Sequence, residues 1–525
     1  MINRRLLTCT FIFLSLLLVL ASCNNTPNPP KEEEKALSYV QDGDTFTFTG
    51  GSPKYMVRYN SSPDTPISLS DTGYIKSYSS SDENIALGYT ESVVRLPRSL
   101  SAEPFSEENE GEKIALSDSD YEIGYIKKFY VWDSNELGQE NSFRIANMIL
   151  RVEGKNCLIW CEEGLNVPDE LLTKLQESFD QVYPLETALF GTCSDYTVKD
   201  TEQYITEAND KIYINIVSLK NPTVGGCFNT VDMYKASYIE KINKEYDLHY
   251  ETNEARMFCI NYSAEPSFVN DMDGCISVLI HEFQHMLRFI CDNIVKGIDT
   301  DEWYNEMMSL LAEDIFSGYL GLKIDSTAIT RLEFFKLFTN WGVSCWNISD
   351  FFLWQASYSV SYAFGSYLLR NYGGADFLAA LTDFNTAGTG KEVINNAFIK
   401  LGLKNKEGEP LSFDDVAADF HQICIYTSKE DADKGHLSLN REVTFDVEGT
   451  TITAPAINLL EDKGVMPFPY SDVITSEQYS RNLLYPYGFI LSDLSTDQIG
   501  EEPILDAKEI VMVLPKDDDV KIYFY

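Results

Sequence analysis

Histidine is scarce in this chain, with five in 525 residues. Basic residues are also few beside acidic ones, 41 against 81, which leaves a formal charge of −40. That balance argues against nucleic acid as a partner and against electrostatic adhesion to anionic membrane. It describes a solvated acidic surface, whose field would favour basic peptide segments. Beyond the N-terminus there is no apolar run of the roughly 20 residues that a membrane-spanning helix needs. Cys-x-x-Cys pairs are missing, and the closest cysteines are Cys157 and Cys161, so a thiolate zinc site has little support. There is no EF-hand loop to argue for calcium, no internal repeat and no heptad pattern.

The N-terminus carries the one export signal. Arg4 and Arg5 precede a largely apolar stretch over residues 6–21. The run Leu20-Ala21-Ser22-Cys23 resembles a bacterial lipoprotein processing site, which implies a signal peptide over residues 1–22 and a mature chain lipidated at Cys23. Asn24 follows the cysteine, and nothing there argues for inner-membrane retention. Residues 23–35 are polar and include Pro27, Pro29 and Pro30, so they read as a tether without core-forming capacity. The expectation is an exported bacterial lipoprotein, held at the cell surface or outer membrane through its lipid alone.

With Cys9 and Cys23 assigned to export and lipid, Cys157, Cys161, Cys193, Cys227, Cys259, Cys275, Cys291, Cys345 and Cys424 remain. Disulfides are compatible with export, but an odd set leaves at least one thiol unpaired in a monomer. Cys275 and Cys291 lie in partly apolar surroundings and read as buried thiols.

Length permits two or three domains. Residues 36–128 hold short alternating pieces joined by polar turns, which predict a β-rich N-terminal domain such as a small sandwich. Residues 129–430 read as a central domain of strands followed by helices. Strands are predicted over 143–152, 157–160, 212–217 and 256–262. Pro168 opens a helix through Leu171, Leu172, Leu175, Phe179 and Val182, and residues 309–405 are mostly helical. Residues 431–525 return to β-like pieces and predict a β-rich C-terminal domain. The strand over 256–262 is expected to pair with an extended peptide as if it were one more strand.

Two of the five histidines stand together in His281-Glu282-Phe283-Gln284-His285. On a helix, positions 281 and 285 share a face one turn apart, so both imidazoles point at one zinc ion. Glu282 lies about 100 degrees round the axis. There it can take a proton from zinc-bound water and pass it to a leaving amine. Glu306 lies 21 residues after His285 (306 − 285), enough for one helix to end and an antiparallel one to begin. Asp292, Asn293, Gly297 and Asp299 supply the turn. Glu306 completes a His2Glu set for one catalytic Zn2+, with water as the fourth ligand. Glu302 and Glu313 compete for that role. Glu302 precedes the clear helical pattern, and Glu313 lies on nearly the same face two turns beyond Glu306.

The motif followed by Asn305-Glu306 on a second helix resembles the gluzincin metallopeptidases. The runs His281 to Met286 and Trp303 to Glu306 are similar to the hyicolysin-like neutral zinc metallopeptidases, with force over about residues 212–374. The resemblance implies a multidomain protein, with an α+β, thermolysin-like zincin domain between the β-rich ends. It implies His281, His285 and Glu306 as ligands and Glu282 as base. The thermolysin pattern places an Asp four residues after the ligand Glu, to orient the first His, and this chain has Leu310 there. Glu313, Asp271 and Asp273 are candidates to replace it. The Tyr-x-x-Gly piece from Tyr362 to Gly365 resembles a gluzincin helix whose tyrosine faces the reacting carbonyl. The likeness makes Tyr362 the candidate oxyanion donor ahead of Tyr358, Tyr367 and Tyr372. His249, His421 and His436 read as structural or solvent-facing. Gluzincin aminopeptidases carry a Gly-x-Met-Glu-Asn element before the motif, and this chain has none. The expectation is therefore a monomeric zinc metalloendopeptidase acting on extracytoplasmic proteins and peptides. The alternative is a surface-anchored binding lipoprotein with a degenerate or non-peptidase zinc site.

Overall fold

The computed structural model describes residues 38–42, 45–50, 53–68, 90–94, 112–113, 115–117, 121–133, 143–192, 196–264, 271–347, 351–383, 388–459, 483–493, 498–499, 502–503, 511–513 and 519–525. The expected signal peptide 1–22, the expected lipidated Cys23 and tether over 23–35, and Cys193 lie outside them. By compactness the chain divides into two units. One comprises residues 1–54, 494–514 and 525; the other comprises 55–493 and 515–524. In the first, Ser38–Asp42, Thr45–Gly50 and Val511–Val513 form a three-stranded antiparallel sheet.

The second unit is a mixed α/β structure around a seven-stranded sheet. Its strands in chain order are β1 (Thr90–Val94), β2 (Ile126–Trp132), β3 (Phe143–Glu153), β4 (Cys157–Glu162), β5 (Ile212–Val217), β6 (Val224–Asn229) and β7 (Met257–Asn261). The spatial order is β1-β6-β7-β5-β4-β3-β2. β4, β5 and β7 are mutually parallel, and β6 runs antiparallel to β7. Every residue of β5 and β7 is buried, as befits strands covered on both faces. In β3, Ala146, Met148 and Leu150 are buried while Ile145 is 62% exposed, the two-residue period of a strand with one wet face.

Four helices place the site. α1 (Asp169–Phe190) buries Leu171, Leu172, Leu175, Phe179 and Val182, the stripe expected from their spacing. α2 (Met272–Phe289) starts at Asp271, whose carboxylate accepts from the Gly274 amide at 3.0 Å. It is buried on all sides from Asp273 onward and continues as a wider turn over Ile290–Lys296 to Gly297, which adopts φ +72°. α3 is Glu302–Leu320 and α4 is Phe351–Asn371. Gly365 lets α4 close on α3: a Cβ there would stand 2.6 Å from Cγ of Met307. Buried Arg370 on α4 donates to Asp314 on α3 at 2.7 and 3.1 Å. No helix among the described residues is long and apolar enough to cross a membrane.

Two sequence expectations are corrected. Among the described residues, the strands within 36–128 do not pair only with one another. Tyr55–Asn60, for example, pairs with Phe489–Asp493 and Val520–Phe524, hundreds of residues downstream. Strand pairing over such separations leaves no local mark in the sequence. β7, expected to receive a peptide, is an interior strand flanked by β5 and β6. The intervening strand β6 escapes sequence reading because Gly225 and Gly226 interrupt its apolar pattern. Cys157, Cys161, Cys259, Cys345 and Cys424 are free thiols, and Cys275 and Cys291 are buried as expected.

Candidate metal centre

α2 and α3 bring His281, His285 and Glu306 together as a buried group whose donor atoms all lie within 4.8 Å of one another. Oε2 of Glu306 is 3.1 Å from Nε2 of His281 and 3.4 Å from Nε2 of His285. Donors about 2.0–2.2 Å from zinc at tetrahedral angles stand roughly 3.3–3.6 Å apart, so the two carboxylate-to-imidazole separations are close to those around one such ion. The imidazoles meet edge to face, with centroids 4.6 Å apart. Burial pushes the Glu306 carboxyl upward, but His285 and His281 outweigh it and hold the group well below the usual carboxylate range.

The opposite ring nitrogens fix the tautomers. Nδ1 of His281 lies 2.8 Å from Oε1 of Glu313, so it carries the proton and Nε2 keeps its lone pair. The Ser277 hydroxyl donates to the other Glu313 oxygen. Glu313 therefore orients the first histidine and is not in the metal-facing group. Nδ1 of His285 lies 2.9 Å from Oγ of Ser309, which donates its own proton to Oε1 of Gln284 at 2.5 Å. That hydroxyl is left to accept from Nδ1–H, and Nε2 again faces the centre. The Asn305 amide nitrogen stands 2.8 Å from the same Nδ1; an amide nitrogen cannot accept from Nδ1–H, so this tautomer requires the amide turned to present Oδ1, which otherwise has no hydrogen bond.

Asp271 and Asp273, the other candidates for orienting His281, are engaged elsewhere. Asp271 caps α2 and accepts from Ser326 at 2.8 Å. Asp273 meets Lys174 at 2.6 Å and the Lys323 amide at 3.1 Å. Glu302 is the first residue of α3, outside the metal-facing group.

Glu282 is fully buried and faces β6. A Cβ on Gly226 would lie 2.9 Å from both its Cγ and its Oε1, and 2.5 Å from Cγ1 of Val278. The strand thus passes directly over the carboxylate, and only glycine fits there. Sequence reading missed this contact, because nothing local ties residue 226 to residue 282. It also missed Ser309, four residues after Asn305 and so one turn along the same helix face. Glu186, fully buried on α1, was missed as well, although it extends the apolar spacing of Phe179 and Val182. Burial pushes its carboxyl well up, against a smaller opposing effect of His281.

Tyr362 is buried on α4. Burial and then Asp314 push its phenol well above the usual tyrosine range, and Arg370, Ser366 and Glu313 are its other electrostatic neighbours. Among the described residues its hydroxyl makes no hydrogen bond to His281, His285 or Glu306, so its part as oxyanion donor rests on the resemblance alone. His421 is buried, lowered by burial to about 3, and stacks on Tyr523 at 5.1 Å. His436 stacks on Tyr426 at 4.0 Å.

No protein-family model matches the chain and no curated protein matches it, so what is established is a buried His-His-Glu centre able to coordinate a metal ion, of the generic kind found in zincin-type metallopeptidases.

Proposed function

We propose that the protein is a zinc-dependent metalloendopeptidase. The observation that carries this reading is the buried His281, His285 and Glu306 group, with its donor atoms within 4.8 Å of one another and Glu282 next to His281 on the same helix. The residues fit zinc: two neutral imidazoles and one carboxylate, each imidazole locked with Nε2 available. His281, His285 and Glu306 would hold the ion. Bound there, zinc supplies Lewis acidity, which acidifies water and polarises a carbonyl.

The chain's own groups do the rest. Glu282 accepts the proton of the attacking water and delivers it to the leaving nitrogen. Burial of the centre keeps bulk water from competing with these transfers. Glu313 and Ser309 keep the histidine protons on Nδ1. Cleavage within chains, in preference to removal of N-terminal residues, is supported by the absence of a Gly-x-Met-Glu-Asn element. The lipid anchor at Cys23 belongs to the same proposal and would set the centre outside the cytoplasm. The gluzincin, hyicolysin-like assignment likewise rests on the runs around His281 and Glu306.

The test is hydrolysis of an unfolded protein by the zinc-loaded chain. Glu282→Gln is expected to retain zinc and lose cleavage by roughly a hundredfold or more. Equal cleavage by both forms would overturn the mechanism.

A further inference from the structure

The outer side of β6 lies beside the proposed base, and the chain itself covers it. β6 meets β7 on its inner side through Gly226 with Ile260 and Cys227 with Cys259. On its outer side it pairs in parallel with β1: Val224 with Thr90, Cys227 with Ser92, Phe228 with Val93 and Asn229 with Val94. Between the first two pairs β6 advances three residues while β1 advances two, so the ladder carries a bulge at Gly225 and Gly226. This is the point where the strand passes over Glu282. Neighbouring strands lie about 4.8 Å apart, so β1 runs within one strand spacing of the backbone that touches the carboxylate.

An extended peptide binds a sheet edge by adding its own backbone hydrogen bonds to the ladder. Without β1, β6 would be the edge strand, presenting its outer N–H and C=O groups next to Glu282. β1 pairs with this edge at Val224 and over Cys227–Asn229, on either side of the bulge, and a peptide cannot occupy the same edge. We propose that Thr90–Val94 is a built-in inhibitory strand, which fills the peptide-binding edge of β6 and must leave before substrate enters. The proposal rests on reading the centre as a peptidase. β1 has five residues and, among the described residues, a ladder on one side only. Such an element opens more readily than an interior strand. The affinity for substrate would then scale with the fraction of molecules in which it is detached.

The test uses the zinc-loaded full chain and a fluorescent extended peptide ending in a hydroxamate. Replacing Ser92→Pro and Val93→Pro together removes two consecutive backbone donors from β1, one of which faces β6. The double variant is expected to bind the probe roughly tenfold tighter or more, and a free peptide of residues 89–95 should reverse the gain. Unchanged probe affinity would overturn the proposal. Hydrogen exchange on the unmodified protein gives a second measurement that needs no variant to fold. Amides of residues 90–94 should be protected in the free protein and exchange fast once the probe saturates it; protection retained with probe bound overturns the proposal. Hydrolysis is assayed separately. Tighter probe binding with no cleavage by any form supports the strand and defeats the peptidase reading. Cleavage with unchanged probe affinity does the reverse.

Discussion

Both oxygens of Glu313 are engaged, one by His281 and one by Ser277, at a position the thermolysin pattern does not use. The Asp expected four residues after Glu306 is Leu310, and a glutamate seven residues on, with a longer side chain, reaches the same ring nitrogen. Glu313→Ala removes the acceptor that fixes the His281 tautomer. Zinc affinity should fall about 10–100-fold, as read by competition with a chelator. Glu186 makes the opposite kind of prediction. Its carboxyl is fully buried and its folded pKa lies well above the ordinary glutamate value. Folding therefore favours the protonated form. That contribution is fully present below the unfolded pKa and is lost as pH rises toward the raised folded one. Glu186→Gln should be increasingly stable relative to the parent across that window, by about 1.4 kcal/mol per pH unit, in denaturant titrations at several pH values. Glu313 was legible as a candidate because seven residues return to the same helix face. Its choice over Asp271 and Asp273 was not, because those two are drawn off by Ser326, Lys174 and Lys323 on distant segments.

Among elements, α2 and α3 followed from periodicity and turn residues, and their antiparallel approach from the length between them. β6 did not. A strand containing Gly225 and Gly226 carries no propensity for its state. Its glycines are explained by the helix beneath: a side chain at 226 would enter the space of Val278 and Glu282. Gly226→Ala should overpack that contact and cost about 1–3 kcal/mol in urea unfolding. Zinc stoichiometry should stay intact, while cleavage falls because Glu282 is displaced. The same close-packing argument holds for Gly365 between α3 and α4.

At the scale of the molecule, the metal centre joins two helices that sit inside the larger unit, so an ion bound there stabilises that unit by mass action. At a thousandfold excess over its dissociation constant, zinc should add about 4 kcal/mol, lost on chelation. Thermal unfolding with and without chelator measures it, and a melting temperature indifferent to chelator would contradict the assignment. Strand pairing at this scale was the least legible part of the sequence. β1 reaches β6, and Tyr55–Asn60 reaches Val520–Phe524, by closing long loops whose partners no local pattern names.

The sequence by itself determined the donor set. Two histidines one turn apart, a carboxylate between them and a glutamate one helix later are constraints of helical geometry, which is local. Tertiary structure decided which carboxylate orients His281, which strand passes over Glu282, and that residues 90–94 lie along that strand. Each of these is a contact between segments far apart in the chain, where packing rather than spacing selects the partner.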